Sequence, residues 1–255
     1  MNQSTQPIEK NCVLKIQSIS KKFSAYALQD VNFELAKGES LALVGANGAG
    51  KSTLIKIILG LMQPTTGSGE LMGFPFDDSR ARQKVGYLPE MPGYWGEVSA
   101  VELLSFMGTI RDLPSDKSRS RISQLLQALG LQVRGTRMMG GYSKGMLQRT
   151  GIAQCLLNDP DLLILDEPMS GLDPRAQEKL RQILLTLRSQ GKTLIISSHH
   201  LDDIRTLCSR VIVLEKSRVV EDGPTEKVLK TLIEKYRSSE PWDEDPLGEW
   251  PNALS

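Results

Sequence analysis

The sequence predicts an α/β fold with three parts: a core built on a parallel β-sheet, an N-terminal antiparallel β subdomain and an inserted helical subdomain. Three observations support this prediction. A glycine-rich loop, residues 45–50, separates a buried strand from an apolar helix. Two further apolar runs, Leu162–Leu165 and Thr193–Ile196, read as strands buried on both faces, which is typical of parallel sheets. Between the loop and these runs, residues from about 91 to 157 follow a helical pattern.

The N-terminal part predicts two paired strands. Apolar and polar residues alternate from Val13 to Ile19 and again from Val31 to Leu35, as in half-buried strands. The second stretch runs into a turn at Lys37–Gly38. We therefore expect an antiparallel pair packed beside the core.

The middle of the chain predicts helices. Ser99 stands three residues before Glu102, the spacing of a capping box, in which serine and glutamate satisfy the first N–H groups of a helix. We expect Pro114 to end that helix. Apolar residues then recur at helical spacing from Ile122 to Leu129, and Gly130 is expected to end the second helix.

The C-terminal part predicts the rest of the core. A helical segment, residues 177–189, lies between the two apolar strands, which forms a β-α-β unit of a parallel sheet. A final β-pair is predicted at Val211–Leu214 and Arg218–Val220. No repeat of fixed period is visible.

Composition narrows the class of protein. The 255 residues are 40% hydrophobic and 24% charged, with a formal net charge of +1, which gives no strong attraction to nucleic acid. No apolar run approaches the roughly 20 residues of a membrane helix, so a membrane role would need another chain to span the bilayer. The polar residues 1–10 lack the apolar centre of a signal peptide. Three well-separated cysteines lack metal-ligand spacing and read as thiols in a reducing cytosol.

The last stretch, residues 238–255, differs in composition. It holds five acidic residues, no lysine or arginine, and Trp242 and Trp250 among prolines. An acidic flexible tail is one interpretation. The other is a segment that docks on an accessory protein through its tryptophans.

The glycine-rich loop carries a phosphate-binding pattern. Gly45, Gly50, Lys51 and Ser52 fit G-x-x-x-x-G-K-[ST], the P-loop, in the required strand–loop–helix context. Backbone N–H groups and the positive end of the following helix would surround phosphate oxygens. Lys51 would reach the outer phosphates, and the Ser52 hydroxyl would bind Mg²⁺. The predicted ATP-binding residues of the loop are Gly45, Ala46, Asn47, Gly48, Ala49, Gly50, Lys51, Ser52 and Thr53.

A second acidic pattern follows the strand Leu162–Leu165. Asp166 and Glu167 come directly after this buried strand, which in a P-loop protein is the Walker B position. Asp166 would hold Mg²⁺ directly or through water. Glu167 would polarise the attacking water as a general base.

The stretch from Gly140 to Arg149 completes a family pattern. It resembles the signature motif of the ABC (ATP-binding cassette) ATPases, usually written L-S-G-G-Q, and it precedes the Walker B strand as in that family. At a helix N-terminus, the Ser143 hydroxyl and the Gly145 N–H can hold a phosphate. The resemblance implies that Ser143, Lys144 and Gly145 act on the ATP bound to the opposite subunit.

The resemblance covers about Val13 to Val228 and assigns further residues. Asp173 resembles the D-loop aspartate, which lies at the dimer interface of the family. His199 resembles the switch histidine and is expected to be catalytic with Glu167, whereas His200 is expected to be a bystander. Phe23, with Tyr26 as the alternative, would stack on adenine.

Several positions depart from the family pattern. Glu90 stands where the Q-loop glutamine is usual, so it could bind ATP and Mg²⁺ while adding a negative charge beside the phosphates. Tyr142, Lys144 and Met146 replace the usual signature residues, and Met169 replaces a common threonine. The strings Tyr-Leu-Pro-Glu and Tyr-Ser-Lys-Gly-Met are most similar to the ATPases of bacterial ABC-2-type exporters.

The resemblance implies a P-loop NTPase (RecA-like) core within a single ATPase domain, residues 1–237. Its core and β subdomain would comprise about residues 12–90 and 157–230, and its helical subdomain about 91–156.

The resemblance also implies a working partnership. Two copies, expected to be identical chains, would face head to tail over two ATP·Mg²⁺ and drive a separate integral membrane permease. The chain would then lie at the cytoplasmic face of the inner membrane, with residues 91–95 offering apolar contact surface to the permease near Glu90.

Two alternatives remain open at this point. The first is a soluble ABC ATPase acting in an assembly or nucleic-acid process. The chain lacks sustained heptads between Thr53 and Tyr142, which disfavours the repair-type members with a long coiled coil. The second is a P-loop kinase or GTPase, which would lack its guanine-selective motif and leave the signature unexplained.

Overall fold

The computed structural model describes residues 11–94 and 96–238. The predicted acidic tail, apart from Ser238, and Trp95 lie outside the described residues. The chain forms two compact units: one comprises the described residues up to Gln83 and from His199 onward, and the other is Lys84–Ser198.

The described strands, in chain order, are β1 Cys12–Lys22, β2 Tyr26–Ala36, β3 Ser40–Val44, β4 Thr66–Leu71, β5 Phe74–Pro75, β6 Val85–Leu88, β7 Leu162–Asp166, β8 Thr193–Ser197, β9 Arg210–Glu215 and β10 Arg218–Pro224. The described α-helices are α1 Lys51–Ile58, α2 Ala100–Ile110, α3 Ser115–Ala128, α4 Lys144–Leu156, α5 Pro174–Ser189, α6 Leu201–Leu207 and α7 Thr225–Ser238.

The first unit contains an antiparallel sheet in the order β2-β1-β4-β5. The pairing of β1 with the edge strand β2 confirms the predicted antiparallel pair, and both strands are longer than the alternating stretches that predicted them. The same unit holds β9 between β10, which is antiparallel to it, and β3, which is parallel to it. β3 is buried at every residue, as its continuous apolar sequence predicts.

Arg210, on β9, links this strand to β10 and β2 of the same unit through hydrogen bonds. Its guanidinium donates hydrogen bonds to both Asp222 carboxylate oxygens, at 2.6 and 2.7 Å, and to the Glu34 carbonyl at 2.8 Å. A further contact at 3.3 Å joins it to Glu39. The Asp222 hydrogen bonds are the main reason that the pKa of Arg210 rises above its ordinary value.

The second unit contains the parallel strands β6, β7 and β8, with β7 in the middle. Helix α5 connects β7 to β8, which confirms the predicted β-α-β unit. All five residues of β7 and all five of β8 are buried, and most of them are aliphatic.

Helix ends in this unit follow local sequence signals. Ser99 and Glu102 form the predicted capping box of α2. The expectation that Pro114 ends this helix is wrong, because α2 ends at Ile110 and Asp112 adopts a positive φ of 52°. There the N–H of Leu113 donates to the Gly108 carbonyl at 3.0 Å, which closes the helix in a Schellman motif. Pro114 is instead the N-cap of α3.

Four elements have no counterpart in the sequence prediction: β4, β5, α6 and α7. Glycines at 67 and 69 weaken the strand signal in β4. The seven residues of α6 are too few for helical periodicity to stand out.

Candidate functional site

The glycine-rich loop leaves the buried strand β3 and enters α1. At Gly50 the backbone has a φ of 109°, and an added Cβ would lie 2.3 Å from the Ala27 carbonyl oxygen. Only glycine fits this combination of conformation and close approach. The Ala49 N–H donates to the Ala46 carbonyl at 3.1 Å, which closes the loop, while Asn47 and Gly48 are exposed at its tip.

The donors at the start of α1 suit an anion. Gly50 is the N-cap of α1 and makes no side-chain cap hydrogen bond, and the backbone N–H groups of the first turn point toward the loop end of the helix. Lys51 curls over the loop: its ammonium donates to the carbonyl oxygens of Gly45 and, at 3.2 Å, of Ala46. Ser52 and Thr53 follow, half-buried, in the first turn. A cation and helix N-terminal donors on one loop match the chemistry of a polyphosphate.

Two exposed aromatic rings lie at the junction of β1 and β2. Phe23 is 58% exposed and Tyr26 is 47% exposed. Each carries an ammonium near its ring: Lys21 lies 5.2 Å from the Phe23 centroid and Lys22 lies 5.3 Å from the Tyr26 centroid. Both rings are partly exposed to solvent, and adenine stacking on Phe23, with Tyr26 as the alternative, remains a prediction.

Asp166 ends the central strand of the second unit, and Glu167 follows it directly. Asp166 is the last residue of β7 and only 3% exposed, while Glu167 is half-buried. Glu167 has a positive φ of 49°, a left-handed conformation that costs a non-glycine residue about 1–3 kcal/mol. The surrounding contacts must hold it there.

Ser197, the last residue of β8, contacts both acidic residues. Its hydroxyl donates to the Asp166 carboxylate Oδ1 and accepts a 2.9 Å hydrogen bond from the Glu167 N–H. That N–H also approaches the Ser197 carbonyl oxygen at 3.2 Å. Sequence reasoning missed Ser197, although a serine that ends an apolar strand just before the predicted switch histidine is a usable signal.

The signature stretch begins α4. Ser143 is its N-cap, and the Ser143 hydroxyl accepts a 3.3 Å hydrogen bond from the Met146 N–H, as the motif predicts. Ser143 and Lys144 are exposed, and Gly145 is half-buried. The N-terminal end of a 13-residue helix therefore faces out of this unit with a serine and a lysine on it.

The signature stretch contacts the segment around the predicted D-loop. The Lys144 ammonium donates to the Ser170 hydroxyl at 3.3 Å. A Cβ added to Gly145 would lie 3.0 Å from the Gly171 carbonyl oxygen. Asp173 is the N-cap of α5 and accepts a 2.9 Å hydrogen bond from the Ala176 N–H. The second unit thus brings together the predicted signature and D-loop residues.

A buried amide joins the signature helix to the Walker B turn. Gln148 is 1% exposed, and its Nε2 lies 3.3 Å from the carbonyl oxygens of both Glu167 and Pro168. Sequence reasoning did not single out this residue. The signal available was a glutamine on the buried, mostly apolar side of a predicted helix.

The remaining predicted residues lie on loops. Glu90 is exposed just beyond β6. On β6 itself, burial, aided by the negative charge of Asp166, raises the pKa of the Tyr87 phenol to about 12. His199 is half-buried, and its ring centroid lies 4.1 Å from that of His200, which is exposed and caps α6.

Two features are absent from the described residues, 11–94 and 96–238. These residues contain no cluster of three or more histidine, cysteine, aspartate or glutamate side chains arranged for a metal ion. They also contain no helix long and apolar enough to cross a membrane.

Comparison with known proteins places the chain in a family. The sequence model of one protein family, described as "ABC transporter", matches residues 28–170 of this chain. An uncharacterized ABC transporter ATP-binding protein of Nostoc sp. is 38% identical over 226 residues, covering 88% of this chain and 68% of the relative. The Nod factor export ATP-binding protein I of Cupriavidus metallidurans is 32% identical over 224 residues, covering 87% of this chain and 74% of the relative.

Solved structures agree. An ATP-binding subunit of an ABC transporter superposes with a TM-score of 0.80 at 31% identity, over 89% of this chain and 95% of that chain. A dimeric ATP-binding cassette in a post-hydrolysis state, bound to ADP and Pi, superposes with a TM-score of 0.77 at 26% identity, over 83% of this chain and 98% of that chain. The fold is that of the P-loop NTPase cassettes, and the chain belongs to the ABC transporter family as one of its ATP-binding, ATP-hydrolysing proteins.

Proposed function

We propose that two copies of this chain close head to tail over two ATP·Mg²⁺ and drive a separate membrane permease that exports its substrate. One observation carries the dimer: the N-terminus of α4 is exposed, with Ser143 as its N-cap and Lys144 as its first residue. An exposed helix N-terminus with a serine and a lysine on it suits a phosphate, and in the proposed dimer that phosphate belongs to the ATP of the partner copy. The dimeric form of the related ADP-bound cassette supports the same arrangement.

Each residue then has a defined role toward ATP. The loop 45–53 binds the phosphates, with Lys51 neutralising the outer ones and Phe23 stacking on the base. Ser52, Asp166 and Glu90 would hold Mg²⁺, which neutralises phosphate charge as the bond to the leaving group breaks. Glu167 accepts a proton from the attacking water, and His199 stabilises the leaving phosphate.

The opposite chain completes each site. Ser143, Lys144 and Gly145 donate to the outer phosphate bound by the partner copy, and Asp173 lies at the interface between the two copies. In the described structure Lys144 and Gly145 already pack on the segment 170–171 that precedes Asp173. This contact supports a shared movement of the signature and the D-loop when the dimer closes.

Export and membrane attachment are the finer part of the proposal. The similarity to a protein named for Nod factor export supports an exporter. The chain would lie at the cytoplasmic face of the inner membrane, attached to a separate permease that spans the bilayer. Met91, which is 77% exposed next to Glu90, offers an apolar contact for it. Co-purification of an integral membrane protein from membranes supports this attachment, and recovery with a non-membrane assembly factor contradicts it.

A mixing experiment tests the composite site. Lys51→Ala and Ser143→Ala should each hydrolyse ATP poorly as pure dimers. Mixed together, they form some dimers in which the Ser143→Ala chain supplies an intact P-loop and the Lys51→Ala chain an intact signature. Hydrolysis should therefore rise above that of either variant alone.

The matched control mixes Lys51→Ala with Glu167→Gln. Both defects then lie in the P-loop half of the site, so no combination restores an intact site. Glu167→Gln alone should still bind ATP and lose about 10²–10⁴-fold in hydrolysis rate, the usual contribution of a general base. Recovery in the control mixture, or none in the test mixture, would contradict head-to-tail pairing.

A further inference from the structure

The end of β8 carries a fully buried hydroxyl beside the acidic pair. Ser197 is 0% exposed and stands in register with Asp166 across the parallel ladder of β7 and β8. Around it, β8 is made of aliphatic residues and threonine. A polar group in such a place is expected to make specific hydrogen bonds, because burying it without them is unfavourable.

The two hydrogen bonds of Ser197 have an unambiguous direction. The Glu167 backbone N–H can only donate, so the Ser197 oxygen accepts it, at 2.9 Å. The hydroxyl hydrogen is then available to the Asp166 carboxylate, and the structure places Oδ1 of Asp166 within hydrogen-bond reach. One hydroxyl therefore bridges the side chain of the first acidic residue and the backbone of the second.

Each bond has a separate consequence. The bond to Oδ1 fixes the rotation of the Asp166 carboxylate about its own axis. The bond from the Glu167 N–H, together with the 3.2 Å contact to the Ser197 carbonyl, holds Glu167 in its left-handed conformation. Left-handed backbone in a residue other than glycine persists only where the surroundings impose it.

We propose that Ser197 is a positioning residue for ATP hydrolysis, which orients the Asp166 carboxylate toward Mg²⁺ and aims the Glu167 side chain at the attacking water. The inference rests on the proposed roles of Asp166 and Glu167. Outer partners of this kind typically change metal affinity or activity by about 10–100-fold when they are removed. Ser197 touches neither nucleotide nor metal in this scheme, and acts through its two neighbours.

The test compares three variants of the full chain. Ser197→Ala removes the hydroxyl, Ser197→Thr keeps it, and Ser197→Cys keeps the volume with a weaker donor. The matched control is Ser198→Ala, which removes a hydroxyl from the adjacent residue, itself only 3% exposed. The readouts are Mn²⁺ binding with a non-hydrolysable ATP analogue, followed by electron paramagnetic resonance; binding of a fluorescent ATP analogue in EDTA; kcat and KM for MgATP; and the thermal unfolding midpoint.

In Ser197→Ala, the Mn²⁺ concentration for half-saturation should rise and kcat should fall, each by about 10-fold or more. ATP-analogue binding in EDTA should be unchanged, because the phosphate donors of the P-loop are intact. Ser197→Thr should recover both quantities, and Ser197→Cys should fall between threonine and alanine. Ser198→Ala should keep wild-type Mn²⁺ binding. If the alanine variant fails to fold, Mn²⁺ binding and kcat of the wild type, Ser197→Thr and Ser197→Cys still test the proposal: the first two should be similar, and the cysteine variant should be lower in both.

Wild-type Mn²⁺ binding and kcat in Ser197→Ala would overturn the inference, as would an equal loss of Mn²⁺ binding in Ser198→Ala. A loss of analogue binding in EDTA as large as the loss of Mn²⁺ binding would also overturn it, since that pattern reports general damage. These outcomes are separate from failure of the proposed function. If the wild type does not hydrolyse ATP, or Glu167→Gln hydrolyses it normally, the catalytic assignment fails whatever Ser197 does.

Discussion

The side-chain amide of Gln148 lies 3.3 Å from the carbonyl oxygen of Glu167, so the helix that begins with the signature is hydrogen-bonded to the turn that holds the proposed general base. A second 3.3 Å contact reaches the Pro168 carbonyl. Both partners are acceptors and Gln148 supplies the donors, which makes the contact specific for an amide.

Replacing Gln148 should destabilise the protein, and the size of the loss should depend on whether the new side chain can donate a hydrogen bond to the two carbonyl oxygens. Gln148→Ala loses both hydrogen bonds and leaves a void, which should lower the free energy of unfolding by about 1–3 kcal/mol. Gln148→Glu should lower the free energy of unfolding further at pH 7, because an ionised carboxylate would face two carbonyl oxygens. This loss should become smaller as pH falls, because the protonated carboxyl is a hydrogen-bond donor. Urea unfolding at several pH values measures both effects.

The controls are Gln124→Ala and Gln124→Glu on the exposed side of α3. Both should leave the unfolding free energy near that of the wild type, as surface substitutions usually do. Equal stability of Gln148→Ala and Gln148→Glu across the pH range would show that the amide geometry is irrelevant.

Two glycines of the phosphate loop should respond differently to alanine. At Gly48 the φ is 83° and an added Cβ meets nothing within 4 Å, so Gly48→Ala should cost only the left-handed strain of about 1–2 kcal/mol. At Gly50 the Cβ would lie 2.3 Å from the Ala27 carbonyl oxygen and 2.7 Å from Leu28 Cδ2, so the loop must move away from β2. Gly50→Ala should therefore lower the thermal midpoint further and abolish ATP-analogue binding. Equal midpoints for the two variants would argue against the tight packing of Gly50.

Alkaline pH should destabilise the protein partly through Tyr87. Burial, then the Asp166 charge, raises the pKa of this phenol to about 12 from its ordinary 10.0. Between these values the unfolded chain loses the phenolic proton while the folded chain keeps it. The contribution of Tyr87 to stability is therefore fully present below pH 10 and is lost as pH rises toward 12. Because the ring is only half-buried, the slope should stay below about 1.4 kcal/mol per pH unit.

Tyr87→Phe has no proton to lose at this position. Its unfolding free energy should therefore fall less steeply than that of the wild type between pH 9 and 11, measured by urea unfolding at each pH. Parallel slopes for the two proteins would mean that Tyr87 ionises alike in the folded and unfolded states.

Local signals predicted the local features well. The capping box at Ser99, the helix end at Gly130 and the N-cap at Ser143 depend on residues close together in sequence, and the structure has all three. The mostly apolar runs predicted β3, β7 and β8, because strands buried on both faces are made largely of apolar residues. Prediction failed where local signals were weak, at the glycine-containing β4 and the short α6, and where Asp112, not Pro114, adopted the helix-ending conformation.

The sequence by itself predicted a nucleotide-binding P-loop and, through its resemblance to the ABC ATPases, an ATP-hydrolysing cassette, because each of these motifs is a short run of residues at fixed spacing. Only the tertiary structure decided which distant side chains hydrogen-bond to these motifs and hold them in place. Ser197 lies 31 positions from Asp166, and Gln148 lies 19 positions from Glu167. Contacts across such separations depend on strand order and helix packing, which no local pattern encodes.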